Sequence, residues 1–126
     1  MATIKSFTSI EQSRKLAEIL PLESADMWWA WYSSPFDNGH YDDFPMFYKP
    51  ICNPDESVPC WSLAALFGVL PNEIDIFNKT LGWFDDAWHC AYMDKDSESM
   101  KVSTSADNPV DACYELILKL NELNLL

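Results

Sequence analysis

Residues 87–120, AWHCAYMDKDSESMKVSTSADNPVDACYELILKL, decide the fold. The end of this stretch carries every boundary signal of a helix. Asp107 or Asn108 caps it, Pro109 stands at the first helical position, and Asp111 complements the positive end of the helix dipole. Cys113, Leu116, Ile117, Leu120 and Leu123 recur at three- and four-residue spacing, so one face is apolar. Just before it, Met100, Val102 and Thr104 alternate with Lys101, Ser103 and Ser105, as in a strand with one wet face. Residues 87–93 read as a neighbouring strand, joined to the first by the polar DKDSES. Strands followed by a packed helix make an α+β chain.

Upstream the signals weaken. Residues 74–86 predict no more than a short helical turn ending near Gly82. CWSLAALFGVL is apolar nearly all round and predicts a buried helix from about Pro59 to Leu70, capped by Ser57 and stopped by Pro71. Residues 33–58 hold Pro35, Pro45, Pro50 and Pro54 and read as a long irregular excursion, with a short hairpin at the Asn38-Gly39 pair. MWWAWY, residues 27–32, predicts one strand, with Met27, Trp29 and Trp31 on one face and Trp28, Ala30 and Tyr32 on the other. A first helix starts at capping-box spacing, Thr8/Glu11 or Ser9/Gln12, and stops at Pro21. Its apolar side is Ile10, Leu16, Ala17, Ile19 and Leu20. The expected architecture is a single domain over residues 1–126. It is α+β, a small antiparallel sheet of about three strands with three helices packed on one side, in the order αβαββα.

Three segments, SFTSIEQSRKLAEILPLESADMWW, VPCWSLAALFGVLP and SADNPVDACYELILKLNELNLL, resemble a family of small uncharacterised proteins of gut bacteria and their mobile genetic elements. The resemblance leaves out the aromatic excursion and residues 72–100. It implies a cytosolic bacterial or phage-associated origin and brings no activity and no functional residue with it.

The 126 residues are 48% apolar and 14% aromatic, enough to build a core without disulfides or metal. No stretch approaches the roughly 20 apolar residues of a membrane span, and MATIKSFTSIEQSRK lacks the apolar run of a secretory signal. A cytoplasmic location is therefore expected, with Cys52, Cys60, Cys90 and Cys113 as reduced thiols. The net charge of −12 argues against direct nucleic-acid binding and against an anionic membrane surface, while permitting a basic partner. Residues 37–98 alone carry −9 of it.

That acidic middle is also crowded with aromatics. Nine of the 18 lie between Trp28 and Tyr48, interleaved with Asp37, Asp42 and Asp43. Trp28, Tyr32, Tyr41, Asp42, Asp43 and Tyr48 are the candidate binding residues of this segment. Aromatic faces beside carboxylates suit a protein partner, a sugar or a cationic amine. The plainer reading is that a small domain uses its aromatics as core. An aromatic sheet face equally suits self-association.

Other chemistry is thinly supported. Cys60, read as the first turn of the second helix, gains nucleophilicity from the helix dipole, with His40 or His89 as base. Its apolar surroundings favour simple burial, and no catalytic residue is assigned. No cysteine pair has the spacing of a zinc site, and neighbouring His89 and Cys90 point to opposite faces of a strand, so no metal and no cofactor is expected. Asp42-Asp43 and Asp85-Asp86 read as solvated loop pairs, and three glycines cannot build a phosphate loop. Twelve net charges spread over roughly 6,900 Å² sit about 24 Å apart, beyond the Debye length of about 8 Å, so mimicry of nucleic acid needs them gathered on one face. The expected function is a small interaction or regulatory protein that binds a protein partner through its aromatic-acidic middle. The alternatives are a small-molecule or carbohydrate binder, extending to a hydrolase using Asp42 or Asp43, and an acidic mimic of nucleic acid.

Overall fold

The computed structural model describes residues 5–51 and 53–126, and its contacts divide the chain into two units. One is Phe7–Ala65; the other is Leu66–Leu126 together with Lys5 and Ser6. The chain is α+β and its sheets are antiparallel. Cys52 lies outside the described residues.

In the first unit, Ser9 and Gln12 form the capping box, and α1 runs from Ile10 to Ala17. Ser9 Oγ accepts from Gln12 N at 3.2 Å, and Gln12 Oε1 accepts from Ser9 N at 3.0 Å. Four strands follow, β1 (Met27–Trp29), β2 (Trp31–Ser34), β3 (Asp37–Tyr41) and β4 (Val58–Cys60). β1 pairs with β4, bringing Met27 opposite Cys60, and β2 pairs with β3. MWWAWY is therefore not one strand: the chain changes partner at Ala30. The hairpin expected at Asn38-Gly39 forms, but it turns at Pro35-Phe36, with Asn38 and Gly39 inside β3.

Thr8 holds this unit together. It is fully buried, its N–H donates to Trp61 O at 3.0 Å, and its Oγ1 accepts from Trp61 N at 3.1 Å. The same Oγ1 shares a hydrogen bond with Ser13 Oγ at 2.7 Å, and Thr8 O accepts from the Trp29 indole at 3.1 Å. Met27, Trp29 and Cys60 form the core beside it, with Phe7 and Ile10 packed against them.

The second predicted helix is shorter than expected. α2 spans Leu63–Val69, because residues 58–60 are taken by β4, and it runs across the division between the units. Ser62, not Ser57, accepts the hydrogen bond from the first turn, Ala65 N at 3.2 Å. Leu66 is buried but Ala64 and Gly68 are exposed, so the helix is not apolar-covered all round.

In the second unit β5 (Glu73–Ile74), β6 (Phe77–Phe84), β7 (Ala87–Met93) and β8 (Met100–Ala106) form one sheet in that order, followed by α3 (Pro109–Glu122). Residues 74–86 are thus strands rather than a helical turn. Lys79 hid the alternation of β6. It points to the α3 side of the sheet, where its Nζ donates to Phe67 O at 2.7 Å and Leu70 O at 3.1 Å, the open carbonyls at the end of α2. α3 is capped by Asn108 and lays Cys113, Leu116, Ile117 and Leu120 into the core, while Leu123 falls past its end and is half exposed. Cys113 Sγ meets Cys90 Sγ of β7 at 3.7 Å, and Thr104 Oγ1 donates to Ala112 O at 2.6 Å.

Among the described residues there are eight strands in three sheets, where about three strands in one sheet were expected. The expectation of three helices on one side of one sheet fails with it: α1 packs on β4, and α3 on β7 and β8. No helix among the described residues is long and apolar enough to cross a membrane.

The Thr8 node yields a stability prediction. Thr8→Val keeps the shape but leaves the Trp61 N–H buried without its acceptor, and should destabilise the chain by about 2–3 kcal/mol in urea unfolding followed by tryptophan fluorescence. A loss under about 0.5 kcal/mol would remove the node from the account.

Candidate functional site

The burial of β1 determines what its neighbours expose. Met27 and Trp29 face inward, Trp28 is half-buried between them, and Ala30 is buried as well, which breaks the strand alternation. Beyond Ala30 the backbone of Trp31 is held by side chains: Trp31 N donates to Ser57 Oγ at 3.1 Å, and Asn53 Nδ2 donates to Trp31 O at 3.1 Å. The β2–β3 hairpin that follows is exposed apart from Trp31, Gly39 and Tyr41.

Gly39 has a structural reason. Its φ of 117° suits glycine, and an added Cβ would run into the Trp31 ring, with Cε2 at 2.6 Å. Trp31 in turn meets Tyr41 edge to face at 4.8 Å. At the hairpin end, Asp37 accepts from Gly39 N at 2.9 Å and pairs with His40 Nδ1 at 2.6 Å. The Gly39 N–H, and secondarily His40, hold the Asp37 carboxyl below its ordinary value.

The six candidate residues divide by environment. Tyr32 and Tyr48 come together around a hollow of about 240 Å³, joined by Met46, Lys49, Pro50 and Ile51. Trp28 lies beside this group: it exchanges backbone hydrogen bonds with Met46 at 2.7 and 2.8 Å, and the Lys49 ammonium stands 5.4 Å from its ring centre. Tyr41 does not join them. It packs on the core, accepts from Arg14 at 2.8 Å and donates to Glu56 O at 3.3 Å. Asp42 and Asp43 are exposed; Asp42 N donates to Ala30 O, and its carboxylate accepts from Asp43 N.

The most exposed of the large apolar side chains lie close by in sequence. Phe36 is 98% exposed, Phe44 73%, Phe47 74%, Tyr48 82% and Ile51 95%. Asp37, Asp42, Asp43, Asp55 and Glu56 are exposed in the same stretch, against one lysine, Lys49. Met46, Lys49 and Ile51 escaped the sequence reading, since no periodicity or motif marks them.

The remaining chemistry points elsewhere. Cys60 lies in β4, not at a helix start, and burial pushes its thiol up, away from the thiolate form. His89 and Cys90 occupy opposite faces of β7, as alternation requires. Asp85 and Asp86 form the two-residue turn between β6 and β7, with φ of 50° and 60°. Among the described residues no group of three or more His, Cys, Asp and Glu side chains gathers as a metal site would need. No protein-family model, no curated protein and no solved structure matches the chain.

Two predictions follow from the hairpin. Gly39→Ala should raise amide exchange across residues 31–41 by at least about tenfold, the equivalent of 1.4 kcal/mol, through backbone strain and the clash with Trp31. Unchanged exchange would show that the close approach is not required. Asp37, followed by carboxyl carbon NMR, should titrate below 3.8. Because its folded value is depressed, its contribution to the hairpin is present above the unfolded value and is lost as pH falls through the lowered folded one. Asp37→Asn should abolish that acid transition.

Proposed function

We propose that the protein is a binding module for another protein, whose contact surface presents an apolar anchor flanked by Lys or Arg. The observation that carries this reading is the exposure of Phe44, Phe47, Tyr48 and Ile51 within eight residues of chain. Taking 150–250 Å² per aromatic side chain, they leave roughly 500 Å² of mostly apolar surface in water. That is more than half of the about 800 Å² each partner buries in a standard interface, and three of the four are aromatics, which interfaces favour. The five carboxylates around it favour a basic rim on the partner and speed its approach.

The hollow lined by Tyr32 and Tyr48 fits the same reading. Its 240 Å³ falls below the roughly 300–1,000 Å³ of small-molecule sites but accepts one inserted side chain. This weighs against a sugar or drug-sized ligand in the segment. Acidic mimicry of nucleic acid is less well supported, because here the carboxylates alternate with large apolar side chains. Direct contact with nucleic acid is no part of the reading, since the charge has the wrong sign. A cytosolic setting belongs to the proposal, supported by Cys60, Cys90 and Cys113 as buried free thiols. So does the bacterial or phage-associated origin that the resemblance implies.

Affinity capture from a lysate of the source cells tests this with three baits: the native chain, Phe47→Ala/Tyr48→Ala, and Asp42→Asn/Asp43→Asn. The aromatic variant should lose the captured protein by at least tenfold at every salt concentration. The aspartate variant should keep it while flattening its salt dependence. Sedimentation of the native chain separates self-association from a foreign partner. Equal capture by native and aromatic baits would overturn the reading.

A further inference from the structure

The face of the four-stranded sheet turned away from α3 carries a second, unrelated site. β6 and β7 pair without a register break from Asn78 opposite Met93 to Phe84 opposite Ala87. Thr80, Gly82 and Phe84 therefore share one face with His89, Ala91 and Met93. With Met100 and Glu98 these residues bound a cavity of about 410 Å³, within the range of small-molecule sites.

Gly82 is the residue to explain. Glycine inside a strand costs roughly 0.5–1 kcal/mol relative to alanine. It marks a bulge, a bend, or a place where a ligand or another backbone approaches closely. There is no bulge here, since the β6–β7 ladder is unbroken. Gly82 has no positive φ, unlike Gly39. A Cβ built on it meets no atom within 4 Å, so packing does not require glycine either. What its missing side chain provides is the cavity itself.

The walls describe the occupant. The Phe84 ring lies on the His89 imidazole at 3.8 Å and 15°, a flat π surface beside the empty position of Gly82, which pairs directly with His89. The Phe84 carbonyl lies 3.0 Å from His89 Nε2 and can only accept, so Nε2 carries a proton and the ring is held in place. Glu98 is the one carboxylate among the lining residues, and neither Lys nor Arg lines the cavity. It sits in the β7–β8 turn, where its N–H donates to Asp94 O at 2.8 Å, on a loop in which Asp94, Asp96 and Glu98 outnumber the one cation, Lys95. Aromatic stacking and a carboxylate together select a flat ring with a cationic end and repel an anionic one.

We propose that this cavity is a binding site for a small planar aromatic amine, its ring seated over Gly82 against the Phe84–His89 pair and its ammonium group at Glu98. The site lies on a different unit from the aromatic-acidic segment and does not depend on the protein-binding reading.

Tryptamine is the probe, and indole-3-propionate, of similar size and opposite charge, is the control. Both are titrated into the full chain and followed by amide and methionine-methyl NMR. Tryptamine should shift His89, Ala91, Met93 and Met100 with a Kd of about 0.1–1 mM, and indole-3-propionate should bind at least tenfold more weakly. Gly82→Val sets a branched side chain into the cavity from a Cβ that meets no atom within 4 Å, and it raises strand propensity, so the fold should survive with an unchanged or higher Tm while the shifts vanish. Glu98→Gln should weaken tryptamine about fivefold to tenfold and leave indole-3-propionate no weaker than before. Absence of shifts at millimolar tryptamine, equal binding of the two probes, or unaltered binding in Gly82→Val would each overturn the proposal.

Discussion

Everything that residues 31–51 present to solvent depends on how Trp29 is held. Its indole N–H donates to Thr8 O, and Thr8 is in turn tied to Trp61 through both its backbone and its hydroxyl. With Trp29 anchored inward, a continuous strand would turn Trp31 to the same face. The chain instead changes partner at the buried Ala30, and side chains from Ser57 and Asn53 satisfy the Trp31 backbone that the β1–β4 pair no longer reaches. The hairpin beyond this pivot has one packed face, made by Trp31, Gly39 and Tyr41, and its remaining side chains are left to water.

Elements with local signals were legible in the sequence. α3 and α1 announce their starts through Asn108, Pro109 and the Ser9/Gln12 box, and β7 and β8 appear where the apolar periodicity places them. Elements whose logic is long-range were not. β6 was hidden by Lys79, a cation on the covered face whose partners, the carbonyls of Phe67 and Leu70, are twelve and nine residues away. The division of MWWAWY was hidden because the groups that permit it sit at residues 53 and 57. Pro59 and Cys60 look like a helix start until Met27 and Trp28 are seen opposite them.

The candidate site was legible as composition but not as surface. Aromatic crowding between Trp28 and Tyr48 is a count; which rings turn inward is decided by partners such as Arg14 and the Glu56 carbonyl, which draw Tyr41 away from the others. Gly82 shows the same limit. In the sequence it reads as a stop signal, and only the unbroken ladder around it reveals a strand position left open. The two surfaces differ physically. The hollow at Tyr32 and Tyr48 is small and bordered by freely exposed rings, whereas the cavity over Gly82 is larger and walled by a stacked pair.

The central claim is that the rings of residues 44–51 are exposed in the isolated chain and covered by a partner in the cell. Hydroxyl-radical footprinting of the same chain, purified and inside cells, reads this directly, with Trp83 as an exposed reference and Tyr92 as a buried one. The account predicts strong oxidation of Phe44, Phe47 and Tyr48 in the purified protein, and at least severalfold protection of those three in cells while the references hold. Equal oxidation in both settings, or protection already complete in the purified monomer, would contradict it.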